Sequence, residues 1–209
     1  MPTVTTLTKT QSGVALAHTQ QTTANVTVGS DITVTAAMAA KFLIKLGRAV
    51  ATALGNEVLF RIEASAKPSG TDEWFPVYQF TSTSGKTVAN STTLNGATTA
   101  GNTTCVLTSA TGILAGDILY FRETGTPTNS EWSRVKSASG TTITFEEAQT
   151  RNHTNGIAVT DSGEIFAPID IDCSTVGRLR LVVDSAANAS GQTVDVIGWV
   201  VTLDSATNT

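Results

Sequence analysis

The chain has 209 residues, of which 40% are hydrophobic and 14% are charged, and its formal net charge is −4. A chain of this length can bury a sufficient core without a disulfide or structural metal ion, and this composition excludes charge-driven disorder. An acidic chain without clustered Lys and Arg is not suited to neutralising phosphates, so we expect no nucleic acid partner.

The first 24 residues are polar, with widely spaced apolar side chains that are too few to form a core. Residues 1–24 are therefore predicted to form an N-terminal arm that becomes ordered when it docks on a partner. The apolar residues expected to make this contact are Val4, Leu7, Val14 and Leu16. The segment has no basic stretch followed by an apolar run, so we expect no secretory signal and synthesis in a cytoplasm.

Short β runs begin after the arm, and residues 25–86 are predicted to form the first part of a β-sandwich. The run at residues 36–54 is nearly long enough to cross a membrane, but Lys41, Lys45 and Arg48 make a membrane span improbable. A helix is the alternative for this run. A strand followed by a loop is favoured, since Gly47 and Gly55 each cost a helix about 1 kcal/mol relative to alanine.

The clearest strand follows, because Val58, Phe60 and Ile62 alternate with Arg61 and Glu63. One side of this strand is expected to face the core and the other to face water. The next run, at residues 74–80, contains a proline at position 76, which suits an edge strand or a bulge.

Glycine-punctuated short strands fill residues 87–160, which are predicted to form an inserted small β domain. Polar segments at 81–86 and 160–164 bracket it and are interpreted as hinges. Amphipathic strands then return in residues 161–209 and complete the discontinuous sandwich. The predicted fold is therefore all-β: a jelly-roll-like β-sandwich interrupted by a small β-barrel-like insertion.

The residues that enzymes use are scattered along this sequence. His153 is interpreted as a turn residue that hydrogen-bonds its own loop, and Asp170 and Asp172 as part of a solvated strand face, although the two carboxylates are also the basis for an alternative β-sandwich enzyme. Phosphate-binding glycine motifs are absent from the sequence. We therefore predict no catalytic site, no cofactor and no metal. Cys105 and Cys173 are interpreted as small apolar residues, and a disulfide between them remains open.

Three tryptophans offer flat aromatic faces that suit sugar rings. Trp199 lies among apolar neighbours and is predicted to be in the core. Trp74 and Trp132 have polar neighbours, so half-buried packing is favoured for both, with surface recognition as the alternative.

The insertion resembles a small β domain that recurs in virion proteins of tailed phages. The residues that carry this resemblance are 100–107 (AGNTTCVL), 111–121 (TGILAGDILYF), 131–145 (EWSRVKSASGTTITF) and 151–159 (RNHTNGIAV). Within them, Ser139 and Gly140 are expected to form a hairpin that sets Val135 against Ile143. The surrounding sandwich is similar in pattern to capsid decoration, or cement, proteins.

The resemblance implies a non-enzymatic virion protein that is made in the host cytoplasm and decorates and stabilises the capsid surface. Its implied partners are the lattice of major capsid protein and further copies of itself, in a homo-oligomer that is often a trimer; no membrane partner is implied. The alternative is a receptor- or glycan-binding module of a tail or head fibre, which would use the tryptophans.

Overall fold

Short alternating β runs form strands throughout the computed structural model of the chain. The structure describes residues 5–21, 26–49, 58–70, 73–82, 90–185 and 194–208, and for 5–13, 20–21 and 205–208 it describes the backbone. The described residues form one 3-10 turn, Pro127–Asn129, and the strands β1 (Thr5–Gln21), β2 (Val26–Val28), β3 (Ile32–Thr33), β4 (Ala39–Arg48), β5 (Leu59–Ser65), β6 (Phe75–Thr81), β7 (Ser91–Thr93), β8 (Thr104–Val106), β9 (Ile118–Arg122), β10 (Glu131–Ser139), β11 (Thr142–Phe145), β12 (Ala158–Thr160), β13 (Glu164–Asp172), β14 (Arg178–Asp184) and β15 (Val194–Asn208). The predicted all-β fold, a sandwich with barrel-like parts, is confirmed.

Two antiparallel sheets enclose the larger core. The four-stranded sheet has the order β1-β15-β4-β13, and the five-stranded sheet has the order β2-β14-β5-β6, with β3 also paired to β14. Phe42, Ile44 and Leu46 of β4 face Phe60 and Ile62 of β5, and all five are fully buried. The strand prediction is confirmed for residues 39–48, and residues 50–54 of the predicted loop lie outside the described ranges.

Residues 5–21, predicted as part of an arm, form β1 and lie within the four-stranded sheet. This strand pairs with β15 from Thr5 to Gln21, with four register shifts along its length. Ala15 and Leu16 are buried in the sandwich core. Backbone pairing therefore holds this segment to its own chain, although its apolar residues are few.

At one end of the sandwich, each of the two sheets finishes in an edge strand that contains a proline. β6 ends the five-stranded sheet and contains Pro76, as the sequence predicted, and β13 ends the four-stranded sheet and contains Pro168. The pairing register shifts beside each proline. Phe166 of β13 packs on Phe80 of β6, with ring centroids 4.8 Å apart, which closes the core at this end.

Strands β7 to β12 form a separate six-stranded sheet of the order β7-β12-β9-β10-β11-β8. Its own core includes Leu119, Phe121 and Ile143, all fully buried. The predicted pairing of Val135 with Ile143 is wrong, because Val135 lies opposite Phe145 and a bulge separates this pair from the rest of the β10–β11 ladder.

The polar segment at residues 160–164, predicted as a hinge, is largely buried. The hydroxyl of Thr160 donates to the Arg48 carbonyl at 2.9 Å, and the Arg48 guanidinium donates to the Ser162 carbonyl at 3.1 Å and to Glu164 at 2.7 Å. Asp161 accepts hydrogen bonds from the backbone and side-chain nitrogens of Asn90. These bonds fix residues 160–164 to Arg48 and Asn90. The polar side chains of the segment therefore serve buried hydrogen bonds. Residues 83–86 of the other predicted hinge, 81–86, lie outside the described ranges.

Candidate functional site

The outer face of the four-stranded sheet is apolar, although it faces away from the core. Side chains that alternate with the core residues of β15 and β4 point outward here, and β1 and β13 add further members. Two cations, Lys41 and Lys45, lie among them. The apolar members are Val14, Leu43, Ile165, Ile197, Trp199 and Val201. Val14 and Val201 are 47% and 37% exposed, which is unusual for a sheet face that only contacts water. We call this surface the apolar face.

Lys45 lies in the middle of the apolar face, paired in register with Ile197 on one side and Ile165 on the other. Its ammonium group lies 5.5 Å from the centroid of the Trp199 ring and 5.8 Å from that of Trp132. Burial lowers the pKa of Lys45, and the negative charge of Glu131 opposes this effect. The side chain is thus a partly desolvated cation between two indole rings.

A groove of about 640 Å³ runs from Lys45 to the insertion, and Glu131 lies on its insertion side. Both carboxylate oxygens of Glu131 are occupied: one accepts from the backbone nitrogen and hydroxyl of Thr150, and the other accepts from the backbone nitrogen of Arg151 and lies 3.0 Å from Nε2 of His153. Burial raises the pKa of Glu131, but the bonds from His153 and Thr150 outweigh burial and leave the pKa below its ordinary value.

His153 is buried, and its ring stacks on Phe121 with centroids 4.9 Å apart. The prediction that it bonds its own loop through its side chain is wrong, since its ring nitrogens lie 3.0 Å from Glu131 and 3.6 Å from Glu123. The imidazole therefore joins β10 to the end of the insertion, as a structural element beneath the groove.

Hydrogen bonds and ion pairs fix the insertion to the sandwich beside the groove. The hydroxyl of Tyr120 donates to Asp195 at 2.7 Å, and Nε of Arg122 donates to the same oxygen at 2.8 Å. The indole nitrogen of Trp132 donates to the Leu46 carbonyl at 2.8 Å. We call these contacts the junction.

The outer face of the five-stranded sheet carries ion pairs at its centre, and the exposed side chains of Val26 and Val28 in β2 lie beside them on the same face. Arg180 pairs with Glu63 at 2.7 Å, and Arg61 bridges Glu63 and Asp184 at 3.4 and 3.3 Å. These partly exposed pairs form a connected network across β5 and β14. The centre of this face is therefore well solvated.

Two arginines of the sandwich strands are buried. Arg48 is 3% exposed and pairs with Glu164, and Arg178 is 8% exposed and pairs with Asp31. Each lies where strand ends meet, so its guanidinium reaches backbone carbonyls as well as a carboxylate.

The four predicted partner contacts occupy different environments. Val14 lies exposed on the apolar face, whereas Leu16 is 4% exposed and belongs to the sandwich core. Leu7 lies in β1, where the structure describes the backbone, and Val4 lies outside the described residues. The apolar face thus includes one of the four, Val14, and excludes Leu16.

The three tryptophans occupy different environments. Trp132 is 8% exposed and packs on Tyr120 with centroids 4.7 Å apart, so it offers no open platform. Trp74 is half-buried, and the guanidinium of Arg180 lies 4.1 Å from its ring centroid. Trp199 is half-buried on the apolar face, so its prediction as a core residue is wrong. Its apolar neighbours gave no sign of this, because Ile197 and Val201 point outward with it.

The carboxylates that suggested an acid pair bind separate partners: Asp170 pairs with Lys41 at 2.7 Å, and Asp172 accepts from the Ser174 backbone nitrogen at 2.8 Å. Across the described ranges, no group of three or more His, Cys, Asp or Glu side chains is arranged to hold a metal ion. Cys105 and Cys173 are free thiols buried in different cores. The described chain has no helix with the length and hydropathy of a membrane span.

Comparison with known proteins gives no match, either to a protein-family model or to an individual curated sequence.

Proposed function

We propose that this protein is a non-enzymatic structural protein of a tailed-phage virion that decorates and stabilises the capsid by binding shell subunits through the apolar face. The observation that carries the proposal is the exposure of Val14 and Val201 beside half-buried Trp199 on one sheet. Large side chains exposed together on a soluble fold are typical of protein interfaces.

The charged centre of the other outer face supports one orientation for the proposed attachment. The network of Arg61, Glu63, Arg180 and Asp184 suits the side that faces solvent. The apolar face would contact the shell, where burial of Val14 and Val201 removes apolar surface from water. Repeated seating on a lattice would add many modest contacts, and self-association as a trimer, which the resemblance implies, would add further avidity.

The junction supports a role in which the protein acts as a rigid body. Tyr120 and Arg122 of the insertion both bind Asp195 of the sandwich, so the insertion keeps a fixed direction relative to the apolar face. A decoration protein needs rigidity and adhesion, and no reaction centre is required.

The alternative, a glycan-binding fibre module, was based on Trp74 and Trp132. Arg180 lies over half-buried Trp74, and Trp132 is buried, so these rings offer little surface for sugar stacking. The capsid proposal is therefore favoured over the fibre proposal.

The proposal is tested on particles of the encoding phage that have been assembled without this protein. Purified wild-type chain is added, and bound copies per particle are counted by quantitative mass spectrometry and cryo-EM. We expect lattice-periodic occupancy for the wild type and a large loss for the double variant Val14→Ser, Val201→Ser. Leu114→Ser is the matched control, because Leu114 is an apolar residue of the insertion that is 65% exposed. Absence of wild-type binding, or equal binding of the double variant and the control, would contradict the proposal.

A further inference from the structure

Lys45 is a cation on a surface that otherwise attracts apolar partners. Its register neighbours are Ile165 and Ile197, and the rings of Trp132 and Trp199 flank its ammonium group. The alkyl part of a lysine can rest on such a surface, but an ammonium group has three hydrogen atoms to donate. Indole faces attract the charge without accepting those hydrogen bonds in full.

Three charged side chains near Lys45 have other partners. Lys41 binds Asp170, and Arg134 lies 3.6 Å from Glu146. Glu131 attracts Lys45 through space, yet its two oxygens are occupied by the insertion. Within the described ranges, no carboxylate lies within 4.0 Å of the Lys45 ammonium group.

Two grooves meet at Lys45 and Trp199. One, of about 570 Å³, extends along the apolar face past Leu43 and Val201, and the other, of about 640 Å³, leads to the insertion. A partner meets mainly apolar walls along the first groove, whereas charged side chains, among them Glu146, Glu147 and Arg151, also line the second. Lys45 lies where the two grooves join. The partner's complementary chemistry is an apolar segment with a negative charge at that point.

We propose that the apolar face binds a segment of the shell protein that places a carboxylate on Lys45 and an apolar side chain against Trp199. This inference rests on the proposed function and names the chemistry of the contact. Burial of the contact would remove water from the ammonium group, so the incoming carboxylate would complete its hydrogen bonding. A neutral partner would leave the cation buried and unpaired, which is costly. Lys45 would thereby favour apolar segments that carry a carboxylate over neutral apolar segments.

The first test uses hexanoate, a carboxylate with an apolar tail, and 1-hexanol as its neutral counterpart. Binding is followed by the fluorescence of Trp132 and Trp199 in a Trp74→Phe background, since Trp74 packs against Arg180 of the other sheet. We expect hexanoate to bind about 10- to 100-fold more tightly than hexanol, as a charge-assisted hydrogen bond predicts. In Lys45→Met, hexanoate should bind no better than hexanol.

Equal binding of the two probes to the wild type would overturn the inference. Glucuronate is a further probe, and binding tighter than that of hexanoate would also overturn it, because it would indicate an acidic sugar. Lys45→Gln serves as a second variant if Lys45→Met does not fold, which is checked by its unfolding midpoint in urea.

The second test measures occupancy on particles. Lys45→Met should bind the shell about 10-fold or more weakly, and the dependence of binding on salt should decrease, because an ion pair is lost. If the wild type binds the shell and Lys45→Met binds equally well, this inference fails while the proposed function stands. If the wild type does not bind, the proposed function fails, and the probe experiment still decides whether Lys45 recognises a carboxylate.

Discussion

The Tyr120 hydroxyl donates a 2.7 Å hydrogen bond to Asp195, and this contact joins two parts of the fold that have separate cores. Asp195 is 2% exposed and also accepts from Arg122 at 2.8 Å. The carboxylate therefore has two donors from the insertion, and its burial is compensated only while the insertion is in place.

Replacement of Asp195 by alanine should lower the free energy of unfolding by about 3 to 5 kcal/mol, because it leaves the buried Tyr120 hydroxyl and the partly buried Arg122 without their shared acceptor. Urea unfolding monitored by circular dichroism measures this change. Asp170→Ala is the matched control, since its pair with Lys41 is also 2.7 Å long but exposed, and it should cost less than about 1 kcal/mol. Similar losses in the two variants would contradict the role of the junction.

Gly47 lies so close to Tyr120 that a methyl group at position 47 would overlap the phenol ring. Gly47→Ala should therefore displace Tyr120 from Asp195 and destabilise the chain by about 1 to 3 kcal/mol, the usual cost of overpacking. Gly125 has open space around it, and Gly125→Ala should stay within about 0.5 kcal/mol of the wild type. Thermal unfolding of both variants provides the comparison, and an unaffected Gly47→Ala would contradict the close packing.

Glu131 should make the insertion sensitive to acid. Its hydrogen bonds from His153 and Thr150 outweigh burial and lower its pKa in the folded chain. The contribution of Glu131 to the free energy of unfolding is therefore complete above its ordinary pKa of about 4.3. This contribution is lost as the pH falls through the lower pKa of the folded chain. Urea midpoints measured from pH 7 to pH 3 should fall less steeply in Glu131→Gln than in the wild type.

The matched control for this pH series is Glu147→Gln, because Glu147 is exposed. Its pH profile should run parallel to that of the wild type. A Glu131→Gln profile that is also parallel to the wild type would show that Glu131 does not contribute to acid sensitivity.

Both thiols should be unreactive in the folded chain. Burial raises the pKa of Cys105 to about 12, and burial together with Asp172 raises that of Cys173 to about 11. Since the thiolate is the nucleophile, Ellman's reagent at pH 8 should label neither thiol at a rapid rate until the chain unfolds. The variant Cys105→Ser retains only the Cys173 thiol, whose labelling reports on the sandwich. Rapid labelling of the native protein would contradict the burial of these thiols.

Strands in which apolar and polar side chains alternate regularly were predictable from the sequence. Phe42, Ile44 and Leu46 lie in β4, and Phe60 and Ile62 lie in β5, because a period of two with one buried face leaves a clear pattern. The strand β1 was not predictable in this way. Its four register shifts interrupt the alternation, and much of its stability comes from backbone pairing with β15, which side-chain types do not report.

The candidate site depends on contacts between distant parts of the chain. Trp199 has apolar neighbours on both sides of its strand, so the sequence could not distinguish the core from an exposed apolar face. Lys45 appeared as one charge among several, and its position between Trp132 and Trp199 follows from the placement of the insertion. The bulge after Val135 likewise changed a register that simple counting along the hairpin had predicted.

The prolines at positions 76 and 168 have a consequence for behaviour at high concentration. Each lies in a terminal strand at the same end of the sandwich, and neither has an amide hydrogen to offer an approaching chain. Pairing between an edge strand of one molecule and a strand of another is therefore disfavoured at this end. The protein can accumulate without polymerising into filaments there, and adhesion is left to side chains on its flat surface.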